Sequence, residues 1–257
     1  MRRPRFRKPR DREELRILIG AVALLAMIWV FATLADQVFE GETRQFDEWV
    51  LSSLRQRADP SQLKGPRWLA AGAQDITALG GPTVLGLTVL AVTGYLLLQG
   101  LYRHGLFVFA ASAGGWVLNW ILKQAFGRAR PDVVPHLREV VSSSFPSGHA
   151  LTSAAVYLTL GALLMRIADR RVTKYYCIAT AMLVTFLVGV SRVFLGVHYP
   201  TDVLAGWLIG MSWALLCWVV ERTLERRAGL KREKLEQERH EDDDPGYRAH
   251  SAHTRAR

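Results

Sequence analysis

Two stretches of the chain put a histidine where it has chemistry to do. In SRVFLGVHYPTD (191–202), His198 and Asp202 stand four residues apart with Pro200 between them, at what reads as the first turn of a helix, so both fall on one face. A carboxylate there accepts the imidazole Nδ1 proton, fixes the tautomer and leaves Nε2 as nucleophile or base. In PSGH (146–149), the backbone N–H groups of Ser147, Gly148 and His149 open a helix. Such an N-terminus carries partial positive charge and receives anions. Gly148 permits close approach, and His149 can give a proton to a leaving oxygen. Taken singly, each stretch has a plainer and better reading: a capping Asp beside an interfacial His in the first, a Ser N-cap with a chance His in the second.

A third stretch, KQAFGRARP (123–131), adds Lys123, Arg128 and Arg130, and Arg192 comes from the 191–202 segment. Guanidinium groups match phosphate oxygens bidentately, whereas Lys acts as a point charge. Arg128 reads as a solvated residue snorkelling at a helix end. Several cations, a helix N-terminus and two histidines together suit a multiply charged oxyanion.

The elements that hold these residues are apolar. Six runs, 17–35, 82–101, 105–122, 150–167, 176–194 and 203–220, are each long enough to cross a bilayer as a helix. No repeat or alternating ten-residue pattern argues for a barrel, so the fold class is all-α, an integral membrane protein with six transmembrane helices. A charge at the bilayer centre costs about 2.5–3.5 kcal/mol, which assigns the three polar stretches to helix ends at a cavity or the headgroup layer. The first run lacks a small-x-small cleavage site and reads as a retained anchor.

The domain reading is a basic arm over 1–16, a six-helix domain over 17–220 and a charged, disordered tail over 221–257. Half the residues are hydrophobic and the net charge is +10, with the basic residues flanking the apolar runs. That distribution selects membrane lipids over nucleic acid as the partner. Cys177 and Cys217 lie in apolar runs and suggest neither a disulfide framework nor zinc. The arm carries eight Lys and Arg, the link around 166–174 four, and the tail ten, so these regions are expected in the cytoplasm. The three polar stretches then face outward. In the first outer loop, FDEWVLSSLRQ puts Phe46, Trp49, Val50 and Leu54 on one helical face, with Asp47, Glu48 and Arg55 on others, which predicts a short interfacial helix.

Together the three stretches resemble the type 2 phosphatidic acid phosphatase superfamily, whose pattern is K-x6-R-P, P-S-G-H and S-R-x5-H-x3-D. Here it reads Lys123-QAFGRA-Arg130-Pro131, Pro146-Ser147-Gly148-His149 and Ser191-Arg192-VFLGV-His198-YPT-Asp202, matching at every position. The resemblance implies a helical bundle of the phosphatase and haloperoxidase type. It implies that His198 attacks phosphorus and becomes a phosphohistidine, that Asp202 orients it, and that His149 protonates the leaving alkoxide and then activates water. Lys123, Arg130, Arg192, Ser147 and the Gly148 amide would hold the phosphoryl oxygens; Ser191 either binds phosphate or shapes the turn. The family uses no metal or other cofactor, and the sequence offers no carboxylate cluster for magnesium.

The expected substrate is a lipid phosphate monoester or diphosphate: phosphatidic acid, phosphatidylglycerophosphate, lysophosphatidate, polyprenyl diphosphate or a lipid A phosphate. A phosphotransferase using the same phosphohistidine and a non-catalytic anion-binding or transport protein stay open as alternatives. A vanadium haloperoxidase would use the same pocket, but that branch is soluble. Asn119 reads as an interhelical packing group, and Asp75 as a cap or turn residue able to approach the site from the outer loop.

Overall fold

The computed structural model describes residues 8–59, 61–66, 68–137 and 143–243. Among the described residues the regular elements are eight α-helices: α1 (Lys8–Glu40), α2 (Arg44–Ser53), α3 (Trp68–Ala78), α4 (Pro82–Leu98), α5 (Tyr102–Ala125), α6 (Gly148–Ile167), α7 (Arg171–Phe194) and α8 (Pro200–Asp243). Five stretches are long and apolar enough to cross a membrane: Glu13–Glu40, α5, α6, α7 and Pro200–Leu230. Neither α3 nor α4 passes that test alone; counted together as one span, bent by 45° at their junction, they bring the number to six. The bend has a local cause. Pro82 opens α4 after the Gly81 cap, and a Cβ on Gly80 would lie 2.3 Å from Val188 Cγ1, so the break packs directly on α7. The second apolar run thus ends at Leu98 rather than 101 and gains α3 across the bend.

Large apolar side chains such as Leu25, Trp29, Leu87, Leu98, Leu106, Trp120 and Phe186 are exposed along these helices. In water so much exposed apolar surface would drive association; on membrane spans it is the surface that faces lipid. Between helices the contacts are made by small residues, as expected where no hydrophobic force distinguishes helix from lipid. A Cβ on Gly206 would come 2.6 Å from Ser147 O, and one on Gly210 2.4 Å from Leu151 O, so α8 lies backbone to backbone on α6. Gly189 accommodates Trp207, and Gly114 accommodates Trp213, whose Nε1 donates to Ala111 O at 2.7 Å.

Residues 20–217 form the main compact unit; among the described residues, 8–19 and 218–243 form a smaller one. In the smaller unit Arg226 pairs with Glu14 and Arg222 lies 3.9 Å from Glu13. The tail expected to be disordered from 221 is instead helical as far as Asp243, and 244–257 lie outside the described residues. Glu, Lys, Arg, Gln and Leu favour helix, and extension of an already formed transmembrane helix carries no nucleation cost. The basic arm is likewise helical from Lys8.

Candidate active site

The 191–202 segment is built as a tight turn between two helices. Gly196 takes φ +72° after the end of α7, and α8 begins at Pro200, leaving His198 in the turn with only 2% of its side chain exposed. The first turn of α8 then carries Asp202, which is wholly buried. Its Oδ2 lies 3.4 Å from His198 Nδ1 and accepts from Tyr199 N at 2.9 Å and from Ser144 Oγ. Its Oδ1 accepts from Arg128 Nη1 at 2.6 Å. A carboxylate accepts only, so the His198 proton belongs on Nδ1, and Nε2 keeps its lone pair. Arg130 Nη1 lies 3.3 Å from that Nε2 and donates to Val197 O at 2.6 Å. Burial pushes the His198 pKa down to about 3; Asp202 opposes this, while Arg192 and Arg130 reinforce it. The imidazole is therefore neutral near pH 7, the state a nucleophile requires.

PSGH closes on the same turn. Ser147 N donates to Asp202 O at 2.9 Å, joining the start of α6 to the start of α8. Ser147 does not cap α6 with its side chain; among the described residues its buried Oγ has no partner. Ser147 thus stands at the N-cap position with the extended backbone expected there, but its hydroxyl makes no cap bond to α6. The segment is held from behind by Phe145, wholly buried, whose ring meets Phe126 at 5.3 Å, Phe39 at 5.8 Å and Phe31 at 6.0 Å. His149 lies against the α3–α4 junction, where a Cβ on Gly81 would be 3.9 Å from its Nε2.

Lys123, at the last turn of α5, donates from Nζ to Ser143 O, which ties the first stretch to the second. Arg192 is 1% exposed, and its Nη1 donates to Thr77 Oγ1 at 2.9 Å. Ser191 differs from the other expected ligands: its Oγ donates to Val188 O within α7 at 2.7 Å, as a residue shaping the helix end does.

Four findings were not anticipated. Arg128 is not solvated; its side chain is 13% exposed, it bridges Asp202 and Asp47, and its guanidinium carbon stands 4.3 Å over the Tyr199 ring. Burial lowers its pKa, but Asp202 and Asp47 outweigh this and carry it above the ordinary value. Asp47, on the buried face of α2, belongs to the site region, as do Ser144 and Thr77. From α3 it is Thr77 that reaches inward, while Asp75 is exposed. Asn119 stands against the PSGH backbone, since a Cβ on Gly148 would lie 3.0 Å from its Oδ1. Ser144 falls inside SSSFPSGH, and Asp47 shares a helical face with buried Leu51, opposite exposed Phe46 and Trp49; that opposition was the available signal.

Residues 104–226 match the model of the PAP2 superfamily, the type 2 phosphatidic acid phosphatases. Phosphatidylglycerophosphatase B of Bacillus subtilis is 36% identical over 147 residues, covering 56% of this chain and 71% of that protein. Lipid A 1-phosphatase of Rhizobium etli is 33% identical over 125 residues, 45% of this chain and 50% of the relative. The crystal structure of a transmembrane PAP2-type phosphatidylglycerolphosphate phosphatase from Bacillus subtilis superposes with a TM-score of 0.70 at 27% identity, over 78% of this chain and 96% of that one.

Proposed function

The chain belongs to the PAP2 superfamily as an integral membrane phosphoric ester hydrolase, and from that premise we propose that it hydrolyses a lipid phosphate monoester or diphosphate through a phosphohistidine on His198. The observation that carries the reading is the buried pair of Asp202 and His198, in which the carboxylate faces Nδ1 at 3.4 Å and Nε2 stands beside a guanidinium. His198 Nε2 bonds to phosphorus as the bond from phosphorus to the lipid oxygen breaks, and His149 gives its proton to the departing alkoxide. Water then bonds to phosphorus as the bond to Nε2 breaks, and its proton goes to His149. Asp202 stabilises the positive imidazole between the two steps. Lys123, Arg130 and Arg192, with Ser147 and the Gly148 amide, hold the phosphoryl oxygens; Arg130 moves from Nε2 to them when substrate enters. Ser191 shapes the turn that presents Arg192.

Three cations and a helix N-terminus meet the phosphoryl charge without a divalent ion, so turnover is expected to persist in EDTA. The site faces outward and the termini lie in the cytoplasm, on the charge asymmetry of the loops. A substrate whose phosphate sits at headgroup level and whose tail stays among the helices suits this position. The relatives act on phosphatidylglycerophosphate and lipid A, which supports a glycerolipid or saccharolipid phosphate ahead of a soluble ester.

The test is a panel of phosphatidic acid, phosphatidylglycerophosphate, lysophosphatidate and polyprenyl diphosphate in detergent micelles, with free phosphate measured and His198→Ala as control. Release of phosphate that is EDTA-resistant and absent from His198→Ala is expected. Transfer to an acceptor without free phosphate would make the protein a phosphotransferase, and absence of any turnover would make it a binder.

A further inference from the structure

Behind His198, two carboxylates share one guanidinium. Arg128 Nη1 donates to Asp202 Oδ1 at 2.6 Å, and Nη2 donates to Asp47 Oδ2 at 2.8 Å. Asp47 comes from α2, far away in sequence, and is wholly buried. It also accepts from Thr201 N at 3.1 Å and Thr201 Oγ1 at 2.6 Å, while that hydroxyl accepts from Arg128 Nη1 at 2.9 Å. Thr201 is the second residue of α8, so Asp47 caps from a distance the helix whose next residue is Asp202. Both carboxylate oxygens of Asp47 thereby engage the start of α8, while Oδ2 also accepts from Thr43 Oγ1 at 3.4 Å at the start of its own helix.

A carboxylate withdrawn from water costs several kcal/mol unless fully paired, so a buried Asp at this place needs a reason beyond packing. Fastening α2 does not supply one by itself. Leu51, one helical turn on, already packs against Val134 and Tyr199, and an apolar residue at 47 would have extended that contact. What the charge adds is electrical balance at the site. Asp47, Arg128 and Asp202 sum to one net negative charge, the complement of the single positive charge that His198 acquires on attacking phosphorus. Without Asp47, Arg128 would neutralise Asp202 alone.

We infer that Asp47 is a positioning residue of this site: through Arg128 and Thr201 it holds Asp202, and so His198, in the geometry and charge state that phosphoryl transfer requires. The inference rests on the phosphohistidine reading above. It assigns α2, whose Phe46 and Trp49 are 54% and 66% exposed on its other face, as an element that bears on catalysis from the membrane interface.

The test uses the full chain in detergent, with the lipid phosphate or diphosphate from the panel that wild type turns over fastest. Asp47→Asn keeps the shape and removes the charge. It is expected to lower kcat about 10- to 100-fold, the range for a lost charged hydrogen bond, with KM within about twofold. The pair Asp47→Asn/Arg128→Gln restores one net negative charge on Asp202, so its kcat should be no lower than that of Asp47→Asn alone. A structural role would not produce that rescue. Losses that multiply in the double variant, or folded Asp47→Asn with wild-type kcat, would overturn the inference. Should Asp47→Asn not fold, Thr201→Val removes the shared hydroxyl at constant volume, and a fall in kcat of about fivefold is expected against none if Asp47 is only structural. Loss of turnover in His198→Ala alongside wild-type kcat in Asp47→Asn would reject only the positioning role. Retained turnover in His198→Ala would reject the underlying mechanism itself.

Discussion

Gly206→Ala adds one methyl group at the point where α8 crosses α6, and the structure sets its consequence. The new Cβ would stand 2.6 Å from Ser147 O, 2.9 Å from Ala150 Cβ and 3.2 Å from Leu151 N, where ordinary contact begins at 3.4 Å. Two of these neighbours are backbone atoms, so relief comes from moving the helices apart by about 0.8 Å, not from a rotamer change. That movement acts on the bond from Ser147 N to Asp202 O, now 2.9 Å, and stretches it beyond hydrogen-bonding distance. Overpacking costs about 1–3 kcal/mol, and replacing a helical Gly returns about 0.5–1 kcal/mol, so the net loss of stability is about 0–2.5 kcal/mol. Activity should suffer more than stability: a 1 Å misplacement of catalytic groups costs about 100-fold, and a shift of this size is expected to lower kcat about 10- to 100-fold. Phosphate release from lipid micelles and thermal unfolding in the same detergent measure the two effects separately. Gly94→Ala, in α4 with no atom within 4 Å of the added Cβ, is the control and should leave kcat unchanged. Wild-type kcat in Gly206→Ala would refute the claim that the α6–α8 crossing sets the geometry of the site.

Other perturbations probe separate parts of the site. His198 has its folded pKa lowered to about 3 against about 6.5 unfolded, so the unfolded chain binds a proton that the folded one does not between those values. Its contribution to stability is therefore retained above about pH 6.5 and lost as pH falls toward 3, by up to about 1.4 kcal/mol per unit; His198→Gln should flatten the stability profile over that window by up to one proton. Arg192→Lys replaces a buried fork by a point charge and should lower kcat/KM by about 100-fold, whereas Thr77→Val, removing the 2.9 Å bond that orients Arg192, should cost about fivefold. In a background without Cys177 and Cys217, a cysteine at Arg171 should resist an impermeant maleimide applied from outside the cell; ready labelling would reverse the proposed orientation.

Much of the site was legible because phosphoryl transfer restricts residue types and helix ends restrict spacing. His198 and Asp202 were expected on one face of a helical turn; they do face each other, although His198 stands in the turn before Pro200 and only Asp202 is in α8, and PSGH opens α6 at Gly148 after Ser147 takes the extended backbone of an N-cap residue. Arg128 shows the limit. Its position in KQAFGRARP fits a snorkelling side chain, and nothing local distinguishes that from a buried bridge to α2 and α8. The α3–α4 bend was hidden for a related reason: the Pro82 start was visible, but the packing of Gly80 on Val188 belongs to α7. The helical run beyond 221 escaped notice because composition registers charge and solvation, whereas helix there is continued from the membrane span.

By itself the sequence determined the all-helical membrane class, the six apolar runs and the three polar stretches at their ends, since hydropathy, helical period and motif spacing are properties of neighbouring residues. Only the tertiary structure decided that Arg128 joins Asp202 to Asp47, that Thr77 accepts from Arg192, and that the Ser147 hydroxyl makes no cap bond. Those pairings join residues that no local pattern relates, and helix packing chooses them: two glycines on α8 let it close on α6, and the buried groups then take whatever partners that closure brings within reach.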